Sequence, residues 1–411
     1  MMGRRQCMIA LMSFDGSLVN ISSNDEQPTL AGVATMHLEL LFDVAVSPNL
    51  AAGDRHSTCA FPLSARLADD SVVCTYRQGL TKHSHDGVLY YQRSRDGGRS
   101  WSTPQIVANG LASAPTQTVV TGGLCQTPSG ALLASFGSIE GLPPNVYPFG
   151  PGGERYPLRF FLTRSDDDGS TWSTPQQPDL HPLGRVGVTG PPFVAANGAV
   201  CVPIECRIPS GVNATALIIS HDDGRTFTPP LMVAGDEAGR LNLCDARFDL
   251  LPDGRIIALL WTFLQENERT IEVHRTFSTD HGLTWSNPEA LGFVGQITAP
   301  LVLSAGRVLA ASNYRHPPLG SLLWHSNDGG VSWAVDQPIQ LWDAEAGCIN
   351  GQPVTIPPLA DVEERVWDEL QRFSFGTPDL VRLADGTVLL TYYATLQGVI
   401  HVRACGLRVV G

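Results

Sequence analysis

The residues in this chain whose types could do chemistry are few and scattered. Asp86, His85, Asp245 and Glu205 could move protons, while Arg315, Arg247, Arg207, Arg55, Arg77, His56, His83 and Tyr392 could hold or polarise a ligand. Two carboxylates in different surroundings can divide acid and base work, because burial raises one pKa while a neighbouring cation holds the other down. Arginine neutralises an anion through paired N–H donors, and a histidine or tyrosine beside it could remove a proton from the carbon next to that anion. These residues sit in comparable places. Arg77 to Asp86 follows the apolar run Val72–Tyr76, Glu205 and Arg207 follow the strand-like run after Asn197-Gly198, and Arg315 ends a similar run.

The elements that must position them are written in a repeat. Ser94 to Trp101 combines Ser, Asp, Gly and a closing aromatic, and the pattern returns at Ser165 to Trp172, Ser220 to Phe227, Ser278 to Trp285 and Ser326 to Trp333. The Asp can accept from its own turn's N–H groups, the Gly can take a positive φ, and the aromatic can plug a core. Copies 48 to 71 residues apart with strand-like flanks imply propeller blades. Short turns also sit between apolar runs at Asp69-Asp70, Ser129-Gly130, Asn197-Gly198, Asp253-Gly254, Ala305-Gly306 and Asp385-Gly386. Six such turns against five staples predict an all-β, six-bladed β-propeller. Its last blade is closed by an N-terminal strand near His37 to Val46, which removes the unpaired edges of an open ring.

Residues 1–35 are patternless and read as an N-terminal coil, leaving 36–411 as a single propeller. Ile139 to Pro157, rich in Pro and Gly and carrying Tyr147, Arg155 and Tyr156, is long for a loop inside a repeat and reads as a lid over the central funnel or as a tolerated surface insertion. Asp361 and Glu364 form a capping box that opens a short helical insertion at about 361–373. Its stripe of Val362, Val366, Trp367, Leu370 and Phe373 is expected to pack on the propeller. Loops that enter the first strand of a blade, or join its second and third, share one face, so the candidate residues converge there.

Composition narrows the partners. A net charge of −13 with no basic run argues against nucleic acid or an anionic membrane, and leaves any anion dependent on a local arginine pocket. Nine cysteines scattered singly read as free, mostly buried thiols, which favours a reducing, cytoplasmic setting. The apolar run Cys7 to Met12 behind Arg4 and Arg5 is too short for a signal peptide, and no stretch is long enough to span a membrane. No cofactor is expected. His83, His85 and Asp86 could hold a metal, but solvated loop histidines are the simpler reading, and no metal is assigned.

The five staples resemble the Asp-box, or BNR repeat, of the sialidase (neuraminidase) superfamily of six-bladed propellers, from about Arg55 to Arg403. That resemblance implies three arginines on a substrate carboxylate, a tyrosine paired with a glutamate as nucleophile, and an aspartic acid that protonates the leaving group. Laid on this chain, the first arginine position is Ala60, with Arg55 a displaced substitute; the glutamate falls on Asp245; the second arginine falls near Trp261, leaving Arg247 or Arg207; and the third is Arg315. The tyrosine position is Thr377, and the acid corresponds to Asp86. The expectation is an exo-acting, sialidase-like glycoside hydrolase of an acidic glycan, with Asp86 as acid and Asp245 or Glu205 as base. Two readings stand beside it: a uronate-polysaccharide lyase using His or Tyr with Arg, and a non-catalytic propeller that binds a glycan or a protein.

Overall fold

The second strand of most repeats reads as an unbroken apolar run, such as Ile256 to Leu264, because it is buried on both faces; eight of those nine residues are buried. The computed structural model describes residues 36–48, 58–150, 153–357 and 365–411. The expected coil over 1–35, the candidates Arg55 and His56, and the Asp361 to Glu364 capping box lie outside them. Strands dominate, and among the described residues there is one helix, of seven residues.

The chain opens with β1 (His37–Ala45), β2 (Thr58–Arg66), β3 (Val72–Gly79), β4 (Val88–Ser94) and β5 (Gln105–Ala108). Next come β6 (Gln117–Gln126) and β7 (Leu132–Glu140), a small hairpin of β8 (Phe149–Gly150) and β9 (Gly153–Glu154), and β10 (Leu158–Ser165), which returns to β7. The third group is β11 (Val186–Gly187), β12 (Phe193–Val194), β13 (Val200–Arg207), β14 (Asn213–Ser220) and β15 (Leu231–Ala234). The fourth is β16 (Leu241–Leu250), β17 (Ile256–Leu264), β18 (Glu272–Ser278) and β19 (Glu289–Val294). The fifth is β20 (Gln296–Val302), β21 (Val308–Tyr314), β22 (Gly320–Ser326), β23 (Ile339–Asp343) and β24 (Cys348–Ile349). Helix α1 (Val366–Arg372) precedes β25 (Gly376–Arg382), β26 (Val388–Leu396) and β27 (Val399–Val410).

The arrangement is propeller-like, but the strands do not divide into the six separate sheets expected. Four groups stand as sheets of their own, β8 and β9 pair only with each other, and the remaining strands form one eight-stranded sheet. The reason is a single parallel bridge, Thr58 to Ile400, that joins β2 to β27. On the edge of β27 not taken by β26, β1 pairs antiparallel from His37 opposite Val410 to Ala45 opposite Arg403, so the last meander takes a strand from the start of the chain. Two inner strands also grip a neighbouring meander through a buried carboxylate: Asp379 in β25 accepts the Ser64 N–H of β2 at 2.6 Å, and Asp249 in β16 accepts that of Val302 in β20 at 2.6 Å. Burial raises both carboxyls to about 6.

The repeated turns share one hydrogen-bond plan. In Ser278 to Trp285, Ser278 Oγ donates to Asp280 Oδ1 at 2.9 Å and accepts the Gly282 N–H at 2.8 Å, while the Thr284 N–H and hydroxyl donate to the two Asp280 oxygens at 2.9 and 2.5 Å. Ser94, Ser165, Ser220 and Ser326 begin turns with the same bonds. Trp101, Trp172, Phe227, Trp285 and Trp333 each pack against a different apolar core. The glycine is required sterically: at Gly98, φ is +90° and a Cβ would stand 2.5 Å from Leu389 Cδ1.

Candidate active site

Five inner strands break register at corresponding places: between Ala60 and Leu63, Val119 and Thr121, Cys244 and Arg247, Gln296 and Ala299, and Gly376 and Asp379. A bulge re-aims the side chain at its apex and costs backbone strain, so it persists where that side chain is needed. Phe61, Asp245, Ile297 and Thr377 hold φ of +58°, +45°, +51° and +47° at these apices. All four line one cavity of about 140 Å³, with Val120, Thr121, Val188, Thr189, Glu205, Arg247 and His83. Larger cavities, of about 520 and 420 Å³, lie elsewhere. The bulge-lined one gathers the candidate chemistry.

One side of this cavity is acidic. The Asp245 N–H donates to Glu205 Oε2 at 3.2 Å, and Arg247 Nη1 donates to Asp245 Oδ1 at 2.6 Å and to the Thr189 carbonyl at 2.6 Å. Packing around Glu205 strips solvent from its carboxyl, and the neighbouring Asp245 charge adds to that, raising it to about 7 although its surface still opens into the cavity. Arg207 and Arg185 adjoin Glu205, and Arg185 is held below its usual value by burial and by Arg207.

The other side is cationic and rich in unmet donors. Arg315 is 5% exposed, and its Nε and Nη1 have no hydrogen-bond partner among the described residues. Buried Arg77, by contrast, is satisfied, donating to the carbonyls of Val119, Thr81 and Ser84 at 2.8, 2.6 and 2.6 Å, while buried Arg275 donates to those of Gly330 and Val331 and leaves only its Nε without a partner among the described residues. Asn313, which shares a strand face with Arg315, has neither amide atom partnered among the described residues. Lys82 Nζ donates to the Phe373 carbonyl at 2.5 Å, and burial with the Arg315 charge brings it down to about 7. His83 is half-buried, but both ring nitrogens are shut from solvent with no partner among the described residues, and desolvation holds it neutral. Burial takes Tyr147 and Tyr393 up to about 12 against the pull of Arg315.

Aromatic rings close the mouth. Phe149 stacks on Trp367 at 5.9 Å and meets His83 edge-on at 4.9 Å, and Tyr147 meets His83 at 5.7 Å. The Trp367 Nε1–H donates to Glu268 at 3.1 Å, Gln296 Nε2 donates to Glu369, and Val366 is buried among Cys244, Trp261, Phe263 and Ile297. The helix therefore packs on the propeller as expected, and Trp367 also lines the cavity.

The structure thus brings Glu205, Asp245, Arg247 and His83 together, with Arg315 against the same cluster and Arg207 beside Glu205. It does not bring Asp86 there. That carboxylate accepts the Leu80 N–H at 3.1 Å and the Ser84 hydroxyl at 2.6 Å, so it ties its own loop. Arg77 ties the same loop from beneath, and His85 is outside the cavity lining. Tyr392 is displaced by one residue: it packs on Trp342 at 5.2 Å in an outer core, whereas Tyr393, on the opposite face, meets Phe61 at 5.4 Å. Lys82, Asn313, Tyr393 and Arg185 were not singled out by sequence, and only the Tyr392-Tyr393 pair carried a signal. No group of three potential metal ligands occurs among the described residues, and none of their helices is long and apolar enough to cross a membrane.

Propeller-like sheets whose inner-strand bulges converge on a polar cavity are an architecture that fits a BNR-repeat protein and is similar in fold to solved sialidases. Residues 146–390, more than half of the chain, match the BNR repeat-like domain family, and the chain belongs to it. Among solved structures, a protein of unknown function from Dyadobacter fermentans DSM 18053 superposes with a TM-score of 0.67 at 20% identity, covering 91% of this chain and 100% of that one. The Hadza microbial sialidase Hz136 gives 0.60 at 16% identity, covering 87% of this chain and 67% of its own. A leech intramolecular trans-sialidase, in complex with 2,7-anhydro-Neu5Ac, gives 0.60 at 13% identity, covering 90% and 70%. At these identities the likeness is one of fold. Comparison with curated protein sequences finds no match.

Proposed function

We propose that this chain is an exo-acting, sialidase-like glycoside hydrolase of an acidic glycan, built as six blades with five Asp-boxes. The blade count takes the eight-stranded sheet as two meanders joined at the Thr58 to Ile400 bridge, and is supported by six first hairpins, one per meander. The observation that carries the function is Arg315: a buried guanidinium with unmet donors asks for an anion, and the cavity beside it holds a carboxyl poised near neutrality.

In this reading the substrate's anionic group sits at Arg315 and its glycosidic oxygen faces Glu205. Below about pH 7 Glu205 is protonated and gives its proton to the leaving oxygen as the C–O bond breaks. Water adds to the anomeric carbon and Asp245, oriented by Arg247, takes the water's proton. Thr377 stands at the apex where the family resemblance expects a tyrosine, so no covalent glycosyl-tyrosine forms at that residue. Asp86, a loop tie, has no part in this scheme. The cavity of about 140 Å³ is below the roughly 300 Å³ of ligand sites, so the Phe149 and Trp367 collar has to part to admit a sugar.

His83, neutral and unpartnered near Arg315, favours the lyase as second reading, with its imidazole removing a proton beside a uronate carboxylate. Purified protein screened on aryl α-sialosides, aryl uronides and uronate polysaccharides separates the two. Phenol release that is lost in Glu205→Gln supports the hydrolase, and unsaturated uronate lost in His83→Ala replaces it with the lyase. Failure on every substrate would leave a glycan-binding propeller.

A further inference from the structure

The anionic subsite of this chain departs from an arginine cluster. Lys82, His83, Tyr147 and Tyr393 stand close enough to interact with the Arg315 charge, and Asn313 lies two residues before it. Lys82 and Arg315 both touch Phe373: the ammonium donates to its carbonyl at 2.5 Å, and the guanidinium lies 5.8 Å from the centre of its ring. Two cations in one buried place repel each other, an arrangement that favours a shared anion between them. Tyr147 reaches the same place from the inserted segment between β7 and β10. Its hydroxyl has no partner among the described residues, and its ring meets His83, the residue after Lys82. The segment is held from behind by bonds that do not involve this hydroxyl: the Gly141 N–H donates to the Thr116 carbonyl at 2.8 Å, and the Arg155 N–H to that of Pro148 at 2.8 Å. It therefore presents Tyr147 on a tethered hairpin.

We propose that Lys82 and Tyr147 are specificity-determining residues that bind the ligand's carboxylate together with Arg315, Lys82 as a second point charge and Tyr147 as a hydroxyl donor delivered by the lid. This rests on the acidic-glycan reading above and deepens it. A lysine and a tyrosine hold one carboxylate without the bidentate geometry of several arginines, so the site recognises the charge and tolerates differences in the ring that bears it. Sialic and uronic acids then both bind, and neutral sugars do not.

The test is equilibrium binding of N-acetylneuraminate and glucuronate, and of the methyl ester of each, to the full chain, followed by tryptophan fluorescence from Trp367 and Trp261. Lys82→Met is expected to weaken both acids roughly 10- to 100-fold and Tyr147→Phe roughly 3- to 10-fold, with little change for the esters. Lys82→Arg should restore most of the loss, and an unaltered melting temperature in Tyr147→Phe excludes misfolding as the cause. Retention of full acid affinity in Lys82→Met and Tyr147→Phe, while Arg315→Met abolishes it, overturns this assignment alone. Absence of acid binding by the unaltered protein overturns it together with the acidic-glycan reading.

Discussion

Glu205 and Asp245 illustrate how neighbours divide two carboxylates. Asp245 has Arg247 at 2.6 Å, while Glu205 has the Asp245 charge and little solvent, and is raised to about 7. A carboxyl raised in the free protein is protonated below that value, so kcat/KM should be high in mildly acidic solution and fall as pH rises through about 7. Glu205→Gln should lower kcat by about 10²-fold or more and flatten that limb, measured from pH 5 to 9. The tyrosine pair gives a second expectation at this scale. Tyr393→Phe should raise KM by about threefold to tenfold, through its contact with Arg315, whereas Tyr392→Phe should leave catalysis unaltered. The sequence placed Asp245, Glu205, Arg247 and Arg315 near one another through their positions on corresponding strands. It did not distinguish Tyr392 from Tyr393, because both follow the same run and a bulge or slip of one residue exchanges their faces. Asp86 is on a loop at the expected side, but the Leu80 N–H and the Ser84 hydroxyl within that loop claim its carboxylate.

The repeated turn is the element in which sequence and structure agree most closely. Its Ser, Asp and Gly act within eight residues, so spacing alone specifies the bonds. Asp328 shows the energetics: partial burial works against ionisation, but the Ser332 hydroxyl and N–H bring it down to about 2. An acid lowered on folding contributes stability above its unfolded pKa and loses it as pH falls through the folded value. Asp328→Ala should cost about 1 kcal/mol at pH 7 and progressively less as pH falls from about 4 through 2, measured by denaturant unfolding. Gly98→Ala should cost about 1–3 kcal/mol across the same range, because the strain at φ +90° and the contact with Leu389 do not titrate. The bulges were not legible, since nothing local marks Phe61, Asp245, Ile297 or Thr377 as left-handed; that conformation is imposed by the strands on either side.

At the scale of the whole molecule, stability is shared between turns that favour ionised aspartates and an interior that holds protons. Asp249, Asp379 and Glu205 are raised on folding to about 6, 6 and 7, so each adds stability at acid pH that is lost as pH rises through those values. The turn aspartates act in the opposite sense below about pH 4. Melting temperature should therefore peak between about pH 4 and 6 and decline on both sides, which calorimetry from pH 3 to 9 would check. The all-β, propeller-like arrangement was readable from the periodicity of staples and turns, as was the pairing of the first strand with the last meander. The separation into six sheets was not found because of one bridge between β2 and β27. The collar escaped the reading in part because Phe149 and Trp367, which stack across the mouth, are more than 200 residues apart in sequence.

Hydrolysis of an anionic glycoside at the bulge-lined cavity is most directly tested by phenol release from aryl α-sialosides and aryl uronides at pH 6, using the unaltered chain, Glu205→Gln and Asp86→Asn. Turnover by the unaltered chain and by Asp86→Asn, with loss in Glu205→Gln, is the expected result. Turnover that survives Glu205→Gln but disappears in Asp86→Asn would contradict it and return the acid to the loop between β3 and β4.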